Sequence, residues 1–148
     1  MKRKWIIFLA LLLLLGLLLF PGGSDYLDVM EANWDLTFPE NAGWALLYGT
    51  DSGSSPHGDG WRYHVYSYEQ EKAVADLLPW SSKTGSTFFS ESYADACESW
   101  LDEINVSAEM RPDYECCQVF YSVQKDHSQL LIWWNASEKT VSFAEFFI

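Results

Sequence analysis

The sequence predicts an α+β domain: an antiparallel sheet of about five strands with two helices on one face, preceded by an N-terminal hydrophobic helix. Three observations carry this. Short runs rich in aromatic and β-branched residues recur between turn-forming clusters, two segments in the middle show helical spacing with caps, and an uncharged run opens the chain.

That opening run sets the organisation. "MKRKWIIFLALLLLLGLLLFPGGS" places Lys2, Arg3 and Lys4 before sixteen uncharged residues, Trp5 to Phe20. As a helix these span roughly 24 Å, short of a relaxed ~30 Å hydrocarbon core. Pro21, Gly22 and Gly23 stop it. Residues 1–24 are therefore read as a signal-anchor or a signal peptide, with the membrane met through residues 5–20. Either reading puts the C-terminal domain outside, anchored by a single pass or secreted, because the basic flank stays inside.

Residues 25–43 form an acidic linker with a helical turn around Leu27–Ala32, and 44–148 form the globular domain. "WALLYGT" (44–50) and "WRYHVYSY" (61–68) read as strands. Ser67 with Gln70 makes a capping box for a helix through Leu78, with Val74, Leu77 and Leu78 inward and Pro79 as its stop. Ser90 or Ser92 caps a second helix that runs to about Ile104 with Asn105 ending it. Ala94, Cys97, Leu101 and Ile104 make its apolar stripe. Strands at 116–124, 129–134 and 140–147 follow, the last two joined by a turn in "NASEKT".

Charge narrows the function classes. The 148 residues carry 9 Lys+Arg against 21 Asp+Glu, a net -12. Three of the nine sit at Lys2, Arg3 and Lys4, so the rest of the chain holds a net charge of -15. No basic cluster follows Lys4, and nucleic acid is excluded as a partner. An acidic surface suits a domain held off an anionic membrane, and it attracts cationic partners.

Between the first two strands lies "DSGSSPHGDG". Glycine, proline, serine and aspartate are what a long hairpin loop requires. The same stretch offers Asp51, His57 and Asp59, with His64 one short strand away, as a ligand-binding set. Two imidazoles and a carboxylate are the donor types of a divalent-cation site. The hairpin reading is preferred, and neither a metal nor a cofactor is assigned.

Three cysteines, Cys97, Cys116 and Cys117, lie in an exported chain. A Cys97–Cys117 disulfide would close a loop of about 20 residues, worth ~3 kcal/mol. Small buried thiols are the equal alternative. No C-x-x-C, G-x-S-x-G, H-E-x-x-H or P-loop occurs, and no catalytic residue is assigned. Trp61, Trp80, Trp100, Trp133 and Trp134 are either core filling or stacking platforms for a glycan.

The loop followed by an aromatic strand resembles a family of small exported or membrane-anchored proteins of gut Firmicutes. Their loop reads Asp-(Ser/Thr)-His-Gly-Gly-Phe-His-Gly-Asp-Gly. Asp51, Ser52, His57, Gly58, Asp59 and Gly60 match, whereas Gly53, Ser54, Ser55 and Pro56 depart, removing the first histidine. The tail "DHSQLLIWWNASEKTVSFAEFFI" is similar to the family's closing hairpin, so the likeness touches about half of 25–148. It implies export and no particular activity. Together these readings describe an extracytoplasmic binding or interaction module, with a protein or glycan ligand. The alternative is a divalent-cation-dependent module or a hydrolase using the 51–60 loop.

Overall fold

The computed structural model describes residues 26–53, 55 and 57–148. The hydrophobic segment assigned to residues 1–24 lies outside them. Among the described residues no helix is long and apolar enough to cross a membrane. The chain divides into two units, 1–38 and 39–148.

In the first unit the expected turn is a full helix, α1 (Tyr26–Trp34). Leu27, Met30 and Trp34 recur at spacings of three and four, which aligns them on one face. Asp35 adopts φ 53 and ends the helix, and Phe38 N–H donates to Glu31 Oε1 at 2.5 Å, folding the exit back on α1.

The second unit is built on five antiparallel strands: β1 (Ala45–Asp51), β2 (Gly60–Ser67), β3 (Gln118–Val123), β4 (Gln129–Asn135) and β5 (Thr140–Phe147). Their order is β1-β2-β5-β4-β3. β5, last in the chain, thus occupies the centre and joins the β1–β2 hairpin to the β3–β4–β5 meander.

Alternation sorts the side chains into two faces. Tyr63, Val65, Val119, Leu131, Trp133 and Ala144 lie on one face and form a core with Ala96, Cys97, Trp100 and Leu101 of helix α3 (Tyr93–Glu103). The opposite face carries Tyr66, Phe143 and Trp134, met by Trp44, Tyr68 and Trp80. Every residue of β4 is buried. Coverage on both sides explains why "QLLIWWN" reads as a continuous apolar run rather than an alternation. It also removes the need for Trp133 or Trp134 to face solvent.

The caps of α3 match the residues expected. Ser92 Oγ accepts from Asp95 N–H at 3.1 Å. At the other end Asn105 takes φ 53, with Asn105 N–H bonded to Asp102 O and Val106 N–H to Leu101 O, a Schellman closure. Helix α2 is shorter than expected, Glu71–Ala75 rather than through Leu78. The Val74 carbonyl explains the early stop: it accepts the Trp80 indole N–H at 2.9 Å and the Leu77 N–H in a three-residue turn. Trp80 rests on Trp134, so α2 is tied to the face opposite α3, and the two helices do not share one face.

Candidate functional site

The 51–60 loop is the first place to look. Asp51 Oδ1 accepts Gly53 N–H at 2.7 Å, a local turn that β1 ends on. Ser52 closes the hairpin from both groups: its N–H donates to Trp61 O at 2.9 Å and its Oγ accepts Trp61 N–H at 3.0 Å. Gly60, at φ 139, lies against that hydroxyl, where a side chain would not fit. Gly58 N–H bonds Ser55 O at 3.1 Å.

The four nominated residues take separate roles. Asp51 and Arg62 are opposite one another across β1 and β2, and Glu145 lies opposite Arg62 on its other side. His57 and Asp59 are exposed on the loop. His64 is in the middle of β2, between Gly49 and Phe143, and its ring fills the space a Cβ at Gly49 would need, 2.8 Å from Cδ2. Among the described residues no three His, Cys, Asp or Glu side chains come together as a metal-ligand set.

A concave site lies elsewhere. On the α3 face, at the end of the sheet where β4 turns into β5, a pocket of about 500 Å³ opens. Val65, Trp133 and Ser142 supply lining from the sheet, Leu47 comes from β1, and the segment 109–113 with Cys116 and Cys117 walls it. That segment belongs to the connection between α3 and β3. What holds it is Arg111. Its guanidinium donates to Glu98 Oε2 at 2.6 Å and Asp102 Oδ1 at 2.7 Å, one turn apart on α3, and to Val106 O at 3.0 and 2.8 Å. Tyr114 donates to the other Glu98 oxygen at 2.7 Å, and Tyr63 donates to Met110 O at 2.6 Å. A planar fork suits this use, because each N–H leaves in a fixed direction. The Asp102 contact and burial act in opposite directions on Arg111, and the net effect raises its pKa.

All three cysteines are free thiols. Cys97 and Cys117 lie in the same core cluster, while Cys116 is exposed on the pocket wall. Burial pushes the Cys97 thiol up to about 12. Burial and then the Asp113 charge push Cys117 up to about 12 as well. Cys116 is raised mainly by its hydrogen bond to Asp113. Neutral thiols are poor nucleophiles, since the thiolate is the reactive form. His127 stacks on Phe88 with centroids 4.5 Å apart.

The five tryptophans considered as glycan platforms all touch other rings. Trp61 and Trp100 both stack on Phe146, Trp80 meets Trp134, and Trp133 meets Tyr114. Among the described residues the large aromatic side chains that face solvent are Phe88 and Phe89, 52% and 51% exposed. Their backbone is pinned by Phe88 N–H donating to Tyr121 Oη at 2.6 Å. Leu46 and Leu47 are exposed to a similar degree. Sequence patterning offers no signal for these exposures, because a phenylalanine pair in a loop reads as buried by default.

No family model matches this chain, and neither a curated protein nor a solved structure is significantly similar to it.

Proposed function

We propose that this protein is a membrane-tethered or secreted extracytoplasmic module that binds a partner rather than transforming a substrate. The observation that carries the reading is the display of apolar side chains on ordered backbone. Phe88 and Phe89 are about half exposed and fixed through Tyr121 and His127, and Leu46 and Leu47 are exposed on β1. Apolar surface held in water is unfavourable at about 25 cal/mol per Å². The two pairs form separate apolar sites at the two edges of the sheet, Phe88 and Phe89 beside β3 and Leu46 and Leu47 on β1. The basic flank and apolar run of residues 2–20 support an exported domain.

Two measurements on intact cells test the two halves of this reading. A membrane-impermeant maleimide should label exposed Cys116 without lysis, and Cys116→Ser should lose the label. Labelling only after lysis overturns the placement. A photo-crosslinking residue at position 88 should give a discrete adduct that the same residue at exposed Glu103 does not. Identical behaviour at the two positions overturns the binding role.

A further inference from the structure

The two edges of the sheet are finished differently. At β3 the chain closes its own edge: Ser81 N–H donates to Val119 O at 2.9 Å, Val119 N–H returns to Ser81 O at 3.1 Å, and Ser81 Oγ adds a bond of 3.0 Å to Val119 O. At β1 nothing among the described residues pairs the outer side. Its first three residues are exposed, with Leu46 and Leu47 at 55% and 57%. Edge strands are ordinarily guarded by lysine, proline, inward charge or a bulge, because their unpaired N–H and C=O groups template another strand. β1 has an irregularity at Leu47 alone, and residues 48–51 continue in regular register. β1, "ALLYGTD", carries one charge, Asp51 at its far end.

The register break between Leu46 and Tyr48 makes Leu47 the extra residue, and Leu47 lines the 500 Å³ pocket. Val65 and Trp133 give that pocket an apolar wall. Glu109, Asp113 and Glu138 bring three exposed carboxylates to it, while the cation in the lining, Arg111, is committed to Glu98, Asp102 and the Val106 carbonyl. An aliphatic stem with a cationic head matches both features: the stem covers apolar surface and the head stays with the carboxylates.

We propose that the β1 edge and the adjoining pocket dock an extended, basic segment of a partner polypeptide. The segment adds as a sixth strand by backbone hydrogen bonds, and one of its Lys or Arg side chains enters the pocket beside Glu109, Asp113 and Glu138. Charge complementarity selects this occupant over a second copy of the chain, since two copies, each carrying -15 after Lys4, repel. The inference deepens the binding reading given above and rests on it.

The test uses the full chain in detergent micelles and two extended peptides, one of four Lys-Val repeats and one of four Glu-Val repeats, with n-butylamine as the isolated stem and head. The Lys-Val peptide should bind, slow amide exchange at 46–50, and weaken as salt rises from about 50 mM to about 500 mM. The Glu-Val peptide should not bind. Glu109→Gln with Glu138→Gln, two exposed positions, should weaken the Lys-Val peptide about tenfold at an unchanged melting temperature. Leu47→Lys, which installs a guard on the edge, should weaken it too. Equal binding of the two peptides, no binding of either, or butylamine competing while β1 exchange stays fast would each overturn the proposal. Such a failure alongside a position-88 adduct on cells would sink the docking edge and leave the broader reading standing.

Discussion

Gly49 faces His64 across the β1–β2 ladder, and the imidazole fills the space that any β carbon at 49 would take, 2.8 Å from its Cδ2. Glycine in a strand interior ordinarily weakens it. Here its small size admits a half-buried ring. Gly49→Ala should therefore destabilise the domain by about 1–2 kcal/mol, the range expected for overpacking when the neighbour can partly shift. Thermal unfolding measures this, and a His64→Ala background should remove most of the cost. A Gly49→Ala penalty that persists unchanged without the imidazole would disprove the steric account.

Alkaline stability follows from the buried thiols. Cys97 and Cys117 titrate at about 12 in the fold against an ordinary value of 9.0, both chiefly through burial. The folded form holds its protons where the unfolded form releases them. The thiol contribution is thus intact below pH 9 and lost as pH rises from 9 toward 12. Each thiol contributes a slope of about 1.4 kcal/mol per pH unit in that window. Burial also raises Tyr63 and Tyr114, steepening the fall above pH 10. Urea midpoints at pH 7 and about pH 10.5 should differ clearly in the wild type and less in Cys97→Ala, once referred to each variant's own value at pH 7.

Arg111 organises the pocket wall from α3. Its own side chain is only 17% exposed, but Glu98 and Asp102 are 42% and 70% exposed, so their charges are screened. Arg111→Ala should cost about 1–2 kcal/mol, most of it from the bonds to the Val106 carbonyl and to Glu98. Arg111→Lys should recover little of this, because an ammonium does not reproduce the fork. Denaturant titration at low and high salt separates the parts, with the salt-sensitive share being the smaller. Limited proteolysis within 107–113 should quicken in both variants.

Cys116 provides a local reporter. Its thiol is raised by Asp113, first through a hydrogen bond and then through charge. Asp113→Asn should lower that pKa and speed maleimide addition several-fold at pH 7.5, where rate tracks the thiolate fraction. Cys97 and Cys117 should remain unreactive until the domain unfolds. Equal alkylation rates in wild type and Asp113→Asn would show that the carboxylate does not govern the thiol.

Local chemistry was the legible part. The Ser92 cap, the Asn105 stop and the strand pattern after residue 117 can be read from neighbouring residues, and the structure places these elements within a residue or two of where they are expected. Long-range pairing was not legible. Nothing in residues 60–67 announces that β2 pairs with β5 along its whole length from Gly60↔Phe147 to Ser67↔Thr140. The contacts of Arg111 with Glu98 and Asp102 join a helix to a segment beyond it, at spacings no periodicity search rewards. Helix α2 ended early because a tryptophan indole outside it captured a carbonyl, a contact that only tertiary structure supplies.

Placing β5 in the middle of the sheet has a consequence for timing. Until Thr140–Phe147 has been made, β2 lacks its inner neighbour and β4 lacks one of its two, so the sheet stands as separate halves. The nascent polypeptide must stay open until that strand emerges. Under the exported reading proposed above this delay would be useful, because a polymer without a finished core offers no obstacle to translocation.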